Sequence, residues 1–123
     1  MRNPARILVV DDIADNVEIL KTRLESLGYE VVVAVDGEQA LAKVKAELPD
    51  LVLLDIMMPK IDGLEVVRRI KADPNLKAIP IVAVTSYALS GDEDKAKAAG
   101  CDAYIAKPYS PRQMLAKVRE ILG

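Results

Sequence analysis

Several residue types are scarce in this chain of 123 residues, and each scarcity excludes a class of structure or chemistry. There is no histidine, so no imidazole is available within the chain as a catalytic base. The single cysteine, Cys101, cannot form an internal disulfide, which fits a reducing compartment. Because Cys101 follows a helix-ending Gly100 and precedes a predicted strand, we expect a small core residue here rather than a reactive thiol.

Long apolar runs and a large excess of one charge are also missing. Charged residues interrupt every apolar run well before the roughly 20 residues that a membrane-spanning helix needs, and residues 1–6 lack the apolar stretch of a signal peptide. The 17 basic and 19 acidic residues give a net charge of −2 and form no basic stripe, which disfavours direct nucleic-acid binding. With 51% apolar residues, the chain is expected to form one cytoplasmic domain over residues 1–123.

What is present is an alternation, repeated five times, of apolar runs of strand length with segments of helical period. Ile7–Val10, Leu51–Leu54 and Ile81–Val84 are apolar without alternation, which is typical of parallel strands covered by helices on both faces. The other two strand candidates are Val31–Val35 and Ala103–Ala106. The pattern predicts a (βα)5 α/β fold, a three-layer sandwich with a parallel five-stranded sheet in the middle.

Each predicted strand is followed by a segment with features of a helix. The first three carry apolar residues at spacings of three and four, ending before Gly28, Pro49 and Pro74. Their predicted stripes are Ile13, Val17, Leu20, Leu24 and Leu27, then Leu41, Val44 and Leu48, then Val66, Val67 and Ile70. The fourth, about 89–99, has few large apolar residues and is expected to be the most loosely held. The fifth opens with the capping box Ser110-Pro111-Arg112-Gln113 and continues through Leu115, Val118 and Leu122.

Polar residues follow four of the five predicted strands. They are Asp11 with Asp12, Asp55, Thr85 and Lys107. Open α/β sheets bind ligands outside the carboxyl ends of their strands, so these side chains are expected to meet in one crevice. The second strand instead ends at Asp36-Gly37, which is typical of a helix cap and suits an edge strand.

The composition of this cluster favours a divalent metal and a phosphoryl group. Converging carboxylates repel one another unless a cation compensates, and Mg²⁺ prefers oxygen ligands, with Asp12 and Asp55 direct and Asp11 direct or through water. A backbone carbonyl just past Asp55 is a further candidate ligand. If a phosphoryl group is added to a carboxylate here, Lys107 offsets its charge and the Thr85 hydroxyl donates to one of its oxygens. Without histidine in the chain, that group must come from another molecule.

Each of these residues alone also has an ordinary structural interpretation. Asp11 and Asp12 fit a helix N-cap, and Asp55 fits a turn or a cap. Thr85 fits a strand-end hydroxyl, and Lys107 fits a solvated surface charge. It is the shared position at the ends of four strands that favours a common site.

Four short motifs, in this order and at these separations, carry a family resemblance. They are Ile7-Leu8-Val9-Val10-Asp11-Asp12, Asp55-Ile56-Met57-Met58-Pro59 with Asp62-Gly63, Val84-Thr85-Ser86, and Lys107-Pro108. Together they resemble the receiver domain of bacterial two-component response regulators, which has a flavodoxin-like, CheY-like fold. Within that family, residues 80–108 most resemble DivK-type single-domain regulators.

The resemblance implies a set of roles. Asp55 would be the phosphoacceptor, with Thr85 and Lys107 as phosphoryl contacts. Mg²⁺, with Mn²⁺ as a substitute, would be held by three carboxylates and one carbonyl: Asp11, Asp12, Asp55 and the backbone of Met57. It also implies strand order 2-1-3-4-5 and a cis peptide before Pro108.

The resemblance further implies a switch and two classes of partner. A histidine kinase or a histidine phosphotransfer protein would supply the phosphoryl group, Thr85 would move inward, and Tyr104 would follow. The reshaped face, comprising helix four, strand five and helix five, would bind a downstream protein. Met57 and Tyr87 stand where the family tunes phosphoryl lifetime. Neither carries a carboxylate or amide that could orient water, so we expect slow self-dephosphorylation.

Other interpretations remain open at this point. The chain also fits a receiver domain excised from a hybrid kinase or a diguanylate cyclase. A metal-dependent phosphatase of the haloacid-dehalogenase type, which forms an aspartyl-phosphate, would have its nucleophile at the end of the first strand, here Asp11. It would need a second Asp two residues later, where this chain has Ile13. A phosphorylation-independent binding module would leave the acids without a function. The leading interpretation is a receiver domain that acts as a signalling switch and is not a turnover enzyme.

Overall fold

In the computed structural model, five strands alternate with five helices over the described residues, which are 4–56, 63–85, 92–106 and 110–122. For Thr85, Asp92, Glu93 and Pro111 the description covers the backbone alone. The strands are β1 (Arg6–Val10), β2 (Glu30–Ala34), β3 (Leu51–Asp55), β4 (Ile81–Thr85) and β5 (Ala103–Ala106). The helices are α1 (Ala14–Ser26), α2 (Gly37–Glu47), α3 (Gly63–Ala72), α4 (Asp92–Ala99) and α5 (Pro111–Leu122).

The sheet is parallel throughout, with the order β2-β1-β3-β4-β5. This confirms the predicted (βα)5 sandwich and the strand order that the resemblance implies. The three unbroken apolar runs form the central strands, and their side chains are almost completely buried. Alternate residues of these strands pack against α1 and α5 on one face and against α2 and α3 on the other. Among the described residues, no helix combines the length and the apolar character needed to cross a bilayer.

The apolar stripes were predicted correctly in their centres and wrongly at their ends. Val17, Leu20 and Leu24 are buried, as the α1 stripe requires, but Ile13 is 51% exposed because it precedes the helix with an extended backbone. Leu27 is 40% exposed because it follows the last helical residue. Leu48 is also half exposed, since it ends α2 in the left-handed conformation, with φ at 46°.

The second strand begins and ends one residue earlier than predicted, and Val35 lies in the short connection between β2 and α2. Asp36 caps this helix by accepting a hydrogen bond from the Gln39 amide at 2.8 Å, as expected. The Gln39 side chain in turn accepts from the Val35 N–H at 3.1 Å. This reciprocal pair takes the Val35 N–H away from the sheet and leaves its side chain exposed.

The last two helices agree with their predicted character. α4 starts at Asp92, the predicted start about residue 89 lying outside the described residues, and its buried described side chains are only Ala96 and Ala99. The capping box of α5 is confirmed, since Ser110 and Gln113 exchange amide-to-side-chain hydrogen bonds of 2.8 and 3.1 Å. The sequence stripe missed Met114, which is fully buried.

A lysine at the end of α3 joins three segments that sequence reasoning left unconnected. Lys71 Nζ donates to the carbonyls of Lys77 and Ile79, at 3.0 and 2.8 Å, and to Asp102 Oδ2 at 2.9 Å. The same Asp102 oxygen accepts from the Ile81 N–H at 2.8 Å. This network fixes the entry to β4 and β5. It also lies beside Cys101, whose pKa is raised to about 11, mainly by burial and then by Asp102, while Lys71 opposes the shift.

Replacing Lys71 with Met is expected to lower the free energy of unfolding by about 1–3 kcal/mol. The Lys71 side chain is only 18% exposed, so its removal leaves two carbonyls and the Asp102 carboxylate without their shared donor. Urea unfolding followed by circular dichroism measures the effect. Lys21→Met, which breaks an exposed ion pair of 3.9 Å with Glu25, is the matched control and should change stability by less than about 0.5 kcal/mol. Equal effects of the two substitutions would contradict a structural role for the Lys71 network.

Candidate functional site

The sheet register brings the predicted site residues to one edge. Asp55 is the last residue of the central strand β3 and pairs with Val84 of β4, so Thr85 lies one residue further along the neighbouring strand. Asp11 follows β1 directly, and its N–H donates to the Ala34 carbonyl of β2 at 3.2 Å. The carboxyl ends of parallel strands therefore meet here, as predicted from the sequence.

Three carboxylates form the centre of this edge. One oxygen from each of Asp11, Asp12 and Asp55 lies within 4.8 Å of the other two. Asp11 and Asp55 are 3% and 5% exposed, whereas Asp12 faces solvent. At such a separation the negative charges repel one another, and the repulsion between the buried Asp11 and Asp55 is the least screened by solvent. An arrangement this unfavourable within a buried edge favours a site that takes up a cation.

Asp11 also makes two hydrogen bonds to residues around the start of α1. Its Oδ1 accepts a hydrogen bond of 2.9 Å from the Ile13 N–H, and its Oδ2 accepts from the Asn16 amide at 3.5 Å. The N-cap residue of α1 is Ile13, which makes no side-chain cap hydrogen bond, so the bond to the Ile13 N–H lies just before the helix. The helix N-cap interpretation of Asp11 and Asp12 is therefore wrong, because Ile13 is the N-cap residue, and the two bonds instead orient the Asp11 carboxylate beside the cluster. Asn16 is a contributor that sequence reasoning missed.

The cluster fits Mg²⁺ in the chemistry of its donors. An ion with oxygen ligands at about 2.1 Å in octahedral geometry needs them about 2.9–4.2 Å apart, close to the spread of these carboxylate oxygens. Asp11, Asp12 and Asp55 supply only oxygen donors, and the solvent-facing Asp12 leaves room for the waters that Mg²⁺ usually retains. Among the described residues, no histidine nitrogen or cysteine sulfur belongs to this cluster, which disfavours zinc.

Mg²⁺ is expected to stabilise the folded protein, and Asp12→Ala is expected to remove most of this stabilisation. A ligand that binds only the folded state at 100 times its dissociation constant adds about 2.7 kcal/mol. Asp12 is exposed and makes no hydrogen bond to the described residues, so its truncation leaves the metal-free fold intact. The measurement is urea unfolding with EDTA and with saturating Mg²⁺. Asp94→Asn on α4 is the control, and an equal Mg²⁺ increment in the Asp12 variant would exclude this site.

Four predicted site residues lie outside the described part of the chain: Met57, Tyr87, Lys107 and Pro108. The predicted cis peptide before Pro108 lies outside it as well. Thr85 is placed by its backbone only, at the end of β4 and in register with Ala106 of β5. Their roles remain predictions.

Tyr104 on β5 is half-buried, and its hydroxyl oxygen is buried. The side chain packs against a small cluster of Ile56, which follows β3, Ala83 in the middle of β4 and Ala96 in the middle of α4. Ile56 directly follows Asp55, so this cluster connects the carboxylate edge with the β5 side of the sheet.

Gly63, the first residue of α3, is a site residue whose importance the sequence did not reveal. Its N–H donates to the Ile56 carbonyl at 3.3 Å, which brings the start of α3 against the backbone that follows Asp55. A Cβ on residue 63 would lie 2.4 Å from the Ile56 Cα and 2.9 Å from its carbonyl oxygen. Only glycine fits this contact. The sequence showed Asp62-Gly63 as a motif, but nothing in it indicated the partner.

The fold and the carboxylate cluster define a class: flavodoxin-like, CheY-like α/β proteins with an acidic site at the carboxyl edge of the sheet. The profile of the response regulator receiver domain matches residues 7–119. This chain therefore belongs to the response regulator receiver domain family of two-component systems.

Relatives and solved structures of similar proteins agree with this assignment. The polar-differentiation response regulator DivK of Brucella anthropi is 37% identical over 120 residues, which cover 98% of each chain. The chemotaxis response regulator CheY4 of Vibrio cholerae superposes with a TM-score of 0.90 at 30% identity, covering 95% of this chain and 98% of CheY4. The receiver domain of a sensor histidine kinase from Pseudomonas aeruginosa, with a magnesium ion coordinated in its active site cleft, gives a TM-score of 0.89 at 34% identity, covering 97% and 98%.

Proposed function

We propose that this protein is a signalling switch of a two-component phosphorelay in which Asp55 accepts a phosphoryl group in a Mg²⁺-dependent reaction. The observation that carries the proposal is the position of Asp55, a carboxylate only 5% exposed at the end of the central strand, with oxygens of Asp11 and Asp12 within 4.8 Å. Family membership and the magnesium ion in the active site cleft of the Pseudomonas receiver domain support it.

The transfer step follows from the chemistry of the residues. A carboxylate oxygen of Asp55 forms a bond to phosphorus while the bond between phosphorus and the donor's imidazole nitrogen breaks. The electron pair of that bond stays on the nitrogen. When bound by Asp11, Asp12, Asp55 and the Met57 carbonyl, Mg²⁺ supplies positive charge that offsets the negative charge of the phosphoryl oxygens.

Two further residues complete the proposed phosphoryl site. The hydroxyl of Thr85 donates to one phosphoryl oxygen and the ammonium of Lys107 contacts another. Support for Thr85 comes from the register, which places its backbone one residue past the Val84 partner of Asp55. Lys107 directly follows Ala106, the β5 partner of Thr85. A histidine kinase or a histidine phosphotransfer protein is the donor, since the chain has no histidine of its own.

The output is proposed to be the binding of a downstream protein. Thr85 moves toward the phosphoryl group, and Tyr104 follows within its cluster of small side chains, Ala83 and Ala96. The face formed by α4, β5 and α5 changes shape as a result. Two features support this: α4 buries only alanines among its described side chains, and a cavity of about 580 Å³ lies between β5 and α5 beside Tyr104. We place this switch in the cytoplasm, in one receiver domain over residues 1–123.

Acetyl phosphate tests the acceptor chemistry without a cognate kinase. The intact mass of the wild-type protein is measured after incubation with acetyl phosphate in the presence of Mg²⁺, and again with EDTA. We expect a gain of one phosphoryl group only with Mg²⁺. Continuous release of phosphate from generic phosphate esters, with many turnovers per protein, would instead support the metal-dependent phosphatase. No Mg²⁺-dependent gain in mass would support a phosphorylation-independent binding module.

Phosphoryl loss is proposed to be slow, because neither Met57 nor Tyr87 carries a carboxylate or amide that could orient water. Met57→Asn introduces an amide at this position and is expected to speed the loss, by about tenfold or more if the amide positions the attacking water. The decay of the phosphorylated mass over time measures the rate. Met57→Leu is the matched apolar control, and unchanged decay in the Asn variant would count against the idea.

A further inference from the structure

Three arginines surround a cavity between α1 and α5, on the face of the sheet away from α2 and α3. Arg23 comes from α1, whereas Arg112 and Arg119 come from α5. The cavity has a volume of about 670 Å³ and is also lined by Ser110, Leu115 and Ala116. This size is within the roughly 300–1,000 Å³ of sites that hold small molecules.

These arginines differ from the other arginines of the described chain in having no acidic partner. Arg6 pairs with Glu30 and Glu47, and both arginines of α3, at 68 and 69, pair with Glu65. Arg23, Arg112 and Arg119 make no ion pair within the described residues. Every described arginine that lacks a carboxylate therefore lines this one cavity, which concentrates positive charge there.

The position of Arg112 makes this concentration more unusual. Arg112 lies in the first turn of α5, where the helix dipole disfavours a cation, and that turn contains no acidic residue. Arg23 and Arg119 lie in the last turns of their helices, where the dipole alone explains a cation. Helix electrostatics therefore do not explain why an arginine lies at position 112. An anion in the cavity would offset the unfavourable interaction of Arg112 with the helix dipole.

The backbone of the same turn leaves one N–H donor unused within the helix. The capping box uses the N–H groups of Ser110 and Gln113, and Pro111 has none. The N–H of Arg112 is consequently the first-turn amide that has no partner within the helix. Arginine side chains next to a helix N-terminus are suited to phosphate, which accepts paired hydrogen bonds from guanidinium and single ones from backbone N–H groups.

We propose that this cavity binds a small anion that contains a diphosphate group. Three guanidinium groups exceed the charge of a single phosphate, and the seven-residue spacing of Arg112 and Arg119 separates their Cα atoms by about 10 Å along one helix face. Leu115 and Ala116, between them on that face, offer an apolar surface to a nucleoside. A nucleoside diphosphate and inorganic pyrophosphate both contain the diphosphate group that the arginines would bind. The site does not involve the Asp11, Asp12 and Asp55 cluster.

Titration of the full chain with ADP and with pyrophosphate, followed by calorimetry, tests the proposal. EDTA is present throughout, so that metal-bridged binding at the carboxylate cluster is excluded. We expect saturable binding that weakens with added salt. Arg112→Gln and Arg119→Gln should each weaken binding about tenfold or more, as expected for the loss of a charge-assisted contact. Tighter binding of ADP identifies a nucleotide as the source, and equal binding identifies the inorganic anion.

Arg68→Gln on α3 is the matched control, because it removes an exposed arginine that is paired with Glu65 and remote from the cavity. It should leave binding unchanged, and thermal unfolding verifies that all three variants are folded. Absence of saturable binding in the millimolar range, or equal binding by wild type and both α5 variants, would overturn the proposal. Tighter binding of a glutamate-rich peptide than of either diphosphate would also overturn it, since the cavity would then serve an acidic protein partner.

Discussion

Asp55→Asn is expected to take up no phosphoryl group from acetyl phosphate under conditions in which the wild-type protein takes up one. The substitution keeps the size and planarity of the side chain, so the buried end of β3 retains its packing. It removes the anionic oxygen that must attack phosphorus, because an amide is a very weak nucleophile at neutral pH. It also takes one of the three carboxylates from the metal cluster. The expected effect is complete loss rather than a reduction.

The control for this experiment is Asp94→Asn, which makes the same chemical change on the exposed surface of α4. It should incorporate the phosphoryl group as the wild type does. Intact mass spectrometry reports all three proteins side by side, and circular dichroism verifies that each is folded. A full phosphoryl gain in the Asp55 variant would show that another residue is the acceptor.

Gly63→Ala is expected to destabilise the fold by about 1–3 kcal/mol or more and to reduce phosphorylation as well. Alanine is favoured over glycine inside a helix by about 1 kcal/mol, so propensity alone predicts a gain in stability. The added Cβ would lie 2.4 Å from the Ile56 Cα, and main-chain atoms cannot turn aside as a flexible side chain does. Relief requires α3 or the end of β3 to move. Since Ile56 follows Asp55 directly, that movement displaces the acceptor.

Gly28→Ala separates this contact from the general cost of replacing a glycine. Gly28 has φ at +90°, which disfavours alanine by about 1–2 kcal/mol, but a Cβ there meets nothing within 4 Å. It should lower stability and leave phosphorylation per folded molecule unchanged. Urea unfolding and intact mass together distinguish the two variants. A Gly63 variant that is as stable as the wild type would mean that the backbone at Ile56 can shift to accept the Cβ with little loss of stability.

Much of the fold could be predicted from the sequence because the central strands are apolar on both faces. The unbroken apolar runs Ile7–Val10, Leu51–Leu54 and Ile81–Val84 are typical of parallel strands between two layers of helices, and the structure buries them in this way. Parallel strands place their carboxyl ends at one edge, so the convergence of Asp11, Asp12 and Asp55 followed from their position after these runs. The strand order could not be predicted in this way, because periodicity does not determine it. The correct prediction of the order came from the family resemblance.

The contacts that sequence reasoning missed are those between residues that no periodic pattern relates. The bonds from Lys71 to Asp102 and to two carbonyls join positions distant in the chain, and a lysine on a helix is usually solvated. The close approach of Gly63 to Ile56 depends on how α3 packs, which spacing does not determine. At the helix ends, Ile13 and Leu27 matched the α1 period yet lie outside the helix, because periodicity does not mark where a helix stops.

The most direct test of the central claim is to identify the phosphorylated residue chemically. Sodium borohydride reduces an acyl phosphate to a primary alcohol, which converts the acceptor aspartate into homoserine. After treatment with acetyl phosphate and Mg²⁺, reduction and proteolysis, tandem mass spectrometry of the peptides is expected to show homoserine at position 55 alone. Homoserine at position 11 or 12, or an unreduced chain that has nevertheless gained a phosphoryl group, would contradict the assignment of Asp55 as the acceptor.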